Sequence, residues 1–177
     1  MIEARFHGRA GQGIVTAAEL LAFAASYEGK FTQAFPFFGS EKRGPPVTSF
    51  CRIDEAPIKL HEEIAEPDIV IVTDKTILPS VNVESGLKGE GIIIINSADG
   101  AKKLFKTKNV FSVDGTEIAV KYFSRPITNT VLLGALSKVT EIVKIESIER
   151  AIQERFKGEI AEKNVKAIQE CYKKVKK

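Results

Sequence analysis

The chain has 177 residues, of which 44% are hydrophobic and 28% charged, as is typical of one globular domain with its own buried core. Its formal net charge of +3 is too small to indicate a nucleic-acid-binding protein. No apolar run approaches the ~20 residues of a membrane-spanning helix, and we expect no signal peptide and no membrane partner. The only two cysteines, Cys51 and Cys171, have no CxxC spacing, so we expect free thiols in a reducing cytoplasm.

The chain begins with a predicted strand, a glycine-rich loop and a predicted helix. Residues 2–7 alternate between apolar and polar side chains, which favours a strand. The helix is predicted from about Gln12 to Tyr27. It is apolar on nearly all sides, so we expect other elements, of this chain or of another, to cover it on more than one side.

The middle of the chain contains a segment without regular periodicity and several predicted strands. Residues 31–46, FTQAFPFFGSEKRGPP, have no sustained periodicity and include glycine and proline breakers, so we predict an irregular segment. Residues 47–53 alternate as a strand. The runs DIVIVT (68–73) and GIIIIN (91–96) are continuous and β-branched, typical of strands buried on both faces, and residues 109–115 form a shorter run of this kind.

Three amphipathic helices are predicted after these strands. The first is capped near Thr128 or Asn129, the second spans the apolar positions from Ile145 to Phe156, and the third carries a packing stripe that ends at Val175. Strands alternating with helices predict a single α/β domain over residues 1–177. We expect a three-layer α/β/α sandwich with a mostly parallel, mixed sheet.

The glycine-rich loop does not match the common nucleotide-binding patterns. The dinucleotide fingerprint has the order G-x-G-x-x-G, whereas Gly8, Gly11 and Gly13 give G-x-x-G-x-G. No G-K-[ST] follows, which excludes a Walker loop. Two interpretations stay open: a tight structural turn, or an anion site made of helix N-terminal N–H groups beside Arg9.

The sequence lacks the residues of a self-sufficient catalyst, so no catalytic residue and no metal ligand is predicted. His7 and His61 are the only histidines, and neither has a carboxylate or a cysteine at ligand spacing. No Ser-His-Asp pattern, paired-carboxylate motif or metal cluster is present.

Residues 35–46, FPFFGSEKRGPP, combine aromatic and charged side chains between glycines and prolines. One interpretation is an ordered loop whose aromatic rings fill its own core. The other is an interface with another chain, because aromatic residues and arginine are enriched in interfaces. The candidate interface residues are Phe35, Phe37, Phe38, Gly39, Glu41, Arg43 and Gly44. The planar guanidinium of Arg43 also suits a carboxylate or a phosphate.

The chain resembles the gamma subunit of 2-oxoacid:ferredoxin oxidoreductases, of the pyruvate and 2-ketoisovalerate type. The stretches that carry the resemblance are HGRAGQGIVTAAELLA, AFPFFGSEKRGPPVTSFCRID, EPDIVIV with GLKGEGIIIIN, and NTVLLGAL. They cover nearly the whole chain in order, and GSEKRGPPVTSF is the most specific of them. One departure is Ala10, where the family usually has glycine.

The resemblance implies a subunit of a multi-subunit enzyme of the pyruvate synthase type, which converts a 2-oxoacid and coenzyme A to acyl-CoA and passes electrons to ferredoxin. It places thiamine diphosphate and 4Fe–4S clusters on alpha, beta and ferredoxin-like delta subunits. This chain is then a non-catalytic docking subunit at the coenzyme A entrance. Its candidate contacts are Gly8, Arg9, Gly11, Gln12, Gly13 and Arg43. The alternatives are a free-standing nucleotide-binding protein and a scaffold without a ligand.

Overall fold

The computed structural model describes residues 1–37 and 45–175 of the chain. In this part of the chain, six strands form one sheet and five α-helices pack on it. The strands are β1 (Ile2–Arg9), β2 (Phe31–Phe37), β3 (Pro46–Asp54), β4 (Ile69–Val72), β5 (Ile92–Asn96) and β6 (Val110–Val113). The helices are α1 (Ile14–Tyr27), α2 (Gly115–Phe123), α3 (Val131–Thr140), α4 (Ile145–Arg155) and α5 (Gly158–Lys174).

The sheet is mixed, with the strand order β2-β3-β1-β4-β5-β6. The strands β1, β4, β5 and β6 are parallel to one another, and β3 is antiparallel to both of its neighbours. β2 therefore runs in the same direction as β1. The carboxyl ends of five strands consequently lie at one edge of the sheet, and the predicted α/β class with a mixed sheet is confirmed.

The two faces of the sheet are covered by different kinds of structure. The α-helices pack on one face, where Phe6, Ile71 and Ile94 join the main core. The alternate residues of β4 and β5 point to the other face, where short 3₁₀ turns and loops, instead of α-helices, form the third layer of the predicted sandwich. The residues of that second core are Val70, Val72, Ile77, Val83, Ile93, Ile95, Ala101 and Val110. The prediction that β4 and β5 are buried on both faces is confirmed.

Helix α1 is covered on more than one side, as its composition predicts. It packs against β2 and β3 of the sheet and against α4 on its outer side. Leu20 and Leu21 are fully buried, whereas Phe23 is 53% exposed. The cover of this helix therefore comes from elements of the same chain.

The prediction of one irregular segment over residues 31–46 is wrong for its first seven residues. Residues 31–37 form β2, an edge strand that pairs with β3 only. Pro36 does not interrupt this strand, because a proline is tolerated at a sheet edge, where its missing N–H costs no ladder hydrogen bond. Both faces of β2 are partly exposed, which is why the strand has no clean apolar alternation.

Helix α2 was not predicted from the sequence. Only Gly115, Ile118 and Ala119 of its nine residues are buried, and nine residues are fewer than the window of about 11–18 in which a helical period is recognised. Its start is nevertheless encoded locally, because the Asp114 carboxylate accepts the Glu117 N–H at 2.8 Å. An Asp followed three positions later by Glu is the capping pattern that could have revealed this helix.

The predicted helices at the end of the chain are confirmed as α3, α4 and α5. The cap predicted near Thr128 or Asn129 is wrong, because Thr130 is the N-cap of α3 and no side chain caps it. α3 and α5 approach closely at Gly134. A Cβ atom added there would lie 2.1 Å from the Ile168 carbonyl oxygen and 3.1 Å from the Tyr172 backbone nitrogen. Glycine at this position allows the two helix backbones to touch, and this contact fixes where α5 lies.

Candidate functional site

The glycine loop lies where the strand order reverses. After β1, the chain passes through α1 to β2 and β3, which lie on one side of β1. On the other side of β1 lies β4, the first strand of the parallel half of the sheet. In open α/β sheets, ligands bind outside the carboxyl ends of strands at such a switch point. The loop of residues 8–13 and the turn after β4 meet at this position.

The backbone geometry explains why glycine occupies each of these three positions. Gly11 and Gly13 have φ angles of 88° and 72°, in the left-handed region that disfavours other residues. Gly8 instead lacks space, because a Cβ there would lie 2.3 Å from both the Thr73 hydroxyl and Ile14 Cδ1. Apart from its two chain neighbours, no described residue has an atom within 4 Å of a Cβ placed on Gly11.

The Gln12 side chain links the loop to the turn after β4. Its Oε1 accepts the Arg9 backbone N–H at 2.8 Å, and its Nε2 donates to Asp74 Oδ2 at 2.8 Å. The Ala10 N–H donates to the Pro45 carbonyl at 3.1 Å, which ties the loop to the residue before β3. The loop is therefore held from both neighbouring strands.

Asp74 and Arg9 form the charged part of this arrangement. Asp74 Oδ1 accepts the backbone N–H and the hydroxyl of Thr76 at 2.9 and 2.7 Å. The Arg9 guanidinium donates to the Thr76 hydroxyl and carbonyl, and its Nε lies 3.5 Å from Asp74 Oδ2. Burial raises the pKa of the Asp74 carboxyl, but the hydrogen bonds from Thr76 and Gln12 and the charge of Arg9 outweigh this and hold the pKa below its usual range.

The segment before α3 closes the other side of the loop. Asn129 is 7% exposed, and its Nδ2 donates to the Gly13 carbonyl at 2.9 Å. The Thr128 hydroxyl donates to the Thr73 carbonyl at 3.2 Å. Gly13 is also the N-cap of α1, whose first turn carries no acidic side chain. The first four N–H groups of an α-helix, counted from the N-cap, lack an intrahelical partner and attract negative charge.

A cleft of about 560 Å³ opens beside the first turn of α1. Its basic residues are Arg125, Arg155 and Lys163, and its apolar residues are Phe123, Ile127, Phe156 and Ile160. Its polar residues are Thr16, Asn129, Thr130 and Asn164. Lys163 pairs with Glu159, whereas neither Arg125 nor Arg155 forms an ion pair with another described residue. The cleft can therefore accept an anion that also carries an apolar or aromatic part.

The histidines and cysteines are placed away from any reactive arrangement. His7 is buried, and burial together with the charge of Arg5 lowers its pKa to about 3, so it is neutral near neutral pH. Cys51 and Cys171 are buried free thiols, and burial raises the pKa of each to about 12. No group of three potential metal ligands occurs in residues 1–37 and 45–175. No helix of these residues is long and apolar enough to cross a membrane.

The predicted interface residues lie mostly outside the described residues, since Phe38, Gly39, Glu41, Arg43 and Gly44 fall in the gap between 37 and 45. Of the other two, Phe35 packs within the chain: its ring centroid lies 5.1 Å from that of Phe50. Phe37, at the carboxyl end of β2, is 44% exposed.

Sequence reasoning did not find Asp74, Asn129 or the residues of the cleft. Asp74 lies two positions after the end of β4, and a polar residue just after a buried parallel strand is a usable signal for the ligand-binding edge. The sequence indicates Asn129 only as a candidate helix cap. The cleft combines residues of four segments, and no local pattern indicates that they meet.

Comparison with known proteins identifies the family. The family model for pyruvate ferredoxin/flavodoxin oxidoreductase matches residues 3–174. The common gamma subunit of the pyruvate/ketoisovalerate oxidoreductases of Pyrococcus furiosus is 53% identical over 179 residues, covering 98% of this chain and 97% of that protein. The crystal structure of a pyruvate oxidoreductase subunit PORC from Thermotoga maritima has a TM-score of 0.88 and 38% identity, covering 99% of this chain and 97% of that one.

A more distant likeness is to 2-oxoglutarate:ferredoxin oxidoreductase from Magnetococcus marinus, solved with 2-oxoglutarate, coenzyme A and succinyl-CoA bound. Its TM-score is 0.76 at 18% identity, and the match covers 96% of this chain but 30% of that one. This likeness shows a shared fold.

The chain belongs to the pyruvate ferredoxin/flavodoxin oxidoreductase family. The predicted resemblance to gamma subunits of 2-oxoacid oxidoreductases is confirmed, and the chain is a subunit of a multi-subunit oxidoreductase. These matches do not support the alternative of a free-standing nucleotide-binding protein.

Proposed function

We propose that this chain supplies part of the coenzyme A site of a 2-oxoacid:ferredoxin oxidoreductase and carries no catalytic residue itself. In this proposal, partner subunits hold thiamine diphosphate and the iron–sulfur clusters, on which a 2-oxoacid is decarboxylated and its electrons pass to ferredoxin. The role of this chain is to bind and orient the coenzyme A that receives the acyl group.

The observation that carries the proposal is the open N-terminus of α1 beside a cleft with basic and aromatic walls. Coenzyme A has a diphosphate, a 3′-phosphate, an adenine ring and an uncharged arm with methyl and methylene groups. Backbone N–H groups at a helix N-terminus and arginine side chains suit its phosphates. Phe123 and Phe156 suit its adenine ring or its arm. The neighbour from Magnetococcus marinus, which has the same fold, was solved with coenzyme A bound.

The amino-acid composition fits the assignment of the clusters to partner subunits. An iron–sulfur cluster of the common kind needs four cysteine thiolates. This chain has two cysteines, and both are buried. We therefore propose that the delta subunit and ferredoxin carry the clusters. The alpha and beta subunits are proposed to bind thiamine diphosphate, and the complex is proposed to be cytoplasmic.

Docking to the partner subunits is proposed for the carboxyl end of β2 and the segment that follows it. Phe37 is exposed at this end, on the same edge of the sheet as the glycine loop. Arg43 precedes Pro45 by two positions, and the Pro45 carbonyl accepts a hydrogen bond from the glycine loop. This connection supports a role for Arg43 near both the partner and coenzyme A.

The Arg43→Ala variant of the assembled complex tests the proposal. Decarboxylation precedes the entry of coenzyme A, so this half-reaction should stay nearly unchanged. Acyl transfer should fall roughly 10- to 150-fold at limiting coenzyme A, since loss of one charge-assisted contact costs about 1.5–3 kcal/mol. The two half-reactions are assayed separately, and size-exclusion chromatography checks that the complex is intact.

Lys42→Ala is the matched control, because it removes the same charge one position away. If Arg43 serves the interface instead, the complex should dissociate and both half-reactions should be lost together. An intact Arg43→Ala complex with an unchanged coenzyme A requirement would remove Arg43 from the binding site.

A further inference from the structure

We propose that Asp74 is a positioning residue, whose carboxylate holds the glycine loop in its ligand-binding conformation through Gln12 and Arg9. The identity of the ligand that the loop binds is taken from the proposed function, and the inference rests on it in this respect. The effect of Asp74 on the loop itself can be measured without any ligand.

The glycine loop needs an external support. Gly11 and Gly13 both lie in the left-handed region, and glycine gives the backbone the freedom to leave it. An anion site at a helix N-terminus requires N–H groups that point in one direction before the ligand arrives. The support must therefore come from side chains that reach the loop from other elements.

The Asp74 carboxylate supplies this support through both of its oxygens. Oδ1 accepts two hydrogen bonds from Thr76 and is thereby fixed to its own turn. Oδ2 then faces Gln12 Nε2 at 2.8 Å and the Arg9 Nε at 3.5 Å. Because Gln12 Oε1 already accepts the Arg9 backbone N–H, the other end of the Gln12 amide is a donor and needs an acceptor at residue 74.

The charge of Asp74 is balanced within the same cluster. A bare carboxylate beside an anion site would repel the ligand, but the Arg9 guanidinium lies next to it. Arg9 in turn is anchored to Thr76 by its side chain. We therefore assign Arg9 to the support of the loop, acting together with Asp74, rather than to direct contact with the ligand.

The Asp74→Asn variant separates this role from the capping of the turn. An asparagine can still accept the Thr76 N–H, since Asn and Asp are equally good caps. The asparagine loses the ion pair with Arg9. Because Thr76 holds its Oδ1, the asparagine turns its NH₂ group toward the NH₂ group of Gln12, and two donors cannot form a hydrogen bond. The matched control is Asp99→Asn, which removes the same charge from an exposed ion pair with Lys75.

Hydrogen exchange of the full chain is the first measurement. The Arg9, Ala10 and Gln12 amides are hydrogen-bonded in the parent loop. They should exchange roughly 10-fold faster or more in Asp74→Asn, since a charge-assisted contact is lost. Amides of β4 and β5 should be unaffected, and Asp99→Asn should match the parent throughout. Unchanged exchange of the loop amides in Asp74→Asn would overturn the inference.

The coenzyme A requirement of the assembled complex is the second measurement. In Asp74→Asn, we expect KM for coenzyme A to rise roughly 10-fold while decarboxylation is unchanged. Faster loop exchange with an unchanged KM would support the positioning role and contradict the proposed coenzyme A site. If Asp74→Asn fails to fold, Gln12→Glu, which keeps an acceptor for the Arg9 N–H but lacks the donor to Asp74, should give the same faster exchange, and normal exchange in that variant would overturn the inference.

Discussion

The Gly134→Val variant should unfold at a markedly lower temperature than the parent chain. Its Cβ would lie 2.1 Å from the Ile168 carbonyl oxygen, and that oxygen belongs to a helix backbone that cannot rotate away. α3 and α5 would have to separate, which costs at least ~3 kcal/mol in the free energy of unfolding. For a chain of this length, the melting temperature should fall by roughly 6–12 °C.

Thermal unfolding followed by circular dichroism measures this effect. Gly89→Val is the control, because beyond its chain neighbours no described atom lies within 4 Å of a Cβ at that position, and its φ is not left-handed. A Gly134→Val variant as stable as the Gly89→Val control would contradict the close α3–α5 contact. Since α5 carries Lys163 and Asn164 of the cleft, the same contact positions one wall of the candidate site.

The double variant Arg125→Ala/Arg155→Ala should have the largest effect on the reaction of the assembled enzyme. Both side chains line the cleft beside α1, and neither forms an ion pair with another described residue, so both are available to phosphates. If each removes one charge-assisted contact worth about 1.5–3 kcal/mol, the two losses together should lower acyl transfer at limiting coenzyme A by roughly 100-fold or more. Decarboxylation of the 2-oxoacid should be unchanged.

Arg150→Ala provides the control for this double variant. Arg150 is on the same helix as Arg155, but it pairs with Glu154 and packs over the Tyr27 ring instead of lining the cleft. Its removal should leave both half-reactions intact. An equal loss of acyl transfer in the Arg150→Ala complex would indicate a general effect of surface charge rather than a binding site.

The sequence predicts those parts of the fold in which local pattern and burial agree. β4 and β5 are continuous runs of Ile and Val because both faces of each strand are covered, and this is visible in the letters alone. β2 and α2 were missed for the opposite reason. An edge strand with a proline gains little from burial, so its pattern is weak, and the nine-residue α2 is too short to show a sustained helical period.

The candidate site could be predicted only as far as the glycine loop. The loop is a local feature, and its glycines are visible at fixed spacing. Its supports come from distant parts of the chain: Asp74 is 62 positions from Gln12, and Asn129 is 116 positions from Gly13. A single sequence does not encode such contacts in any local period, because the packing of whole elements brings these residues together.

Photoaffinity labelling with a coenzyme A analogue tests the central claim most directly. The analogue carries its reactive group on the adenine ring, and the labelled peptides of the assembled enzyme are identified by mass spectrometry. We predict labels on this chain at the first turn of α1 and in the cleft near Phe123 and Phe156, and unlabelled coenzyme A should compete them away. Labels confined to the partner subunits, or on this chain only at the opposite edge of the sheet near residues 82–90, would contradict the proposed coenzyme A site.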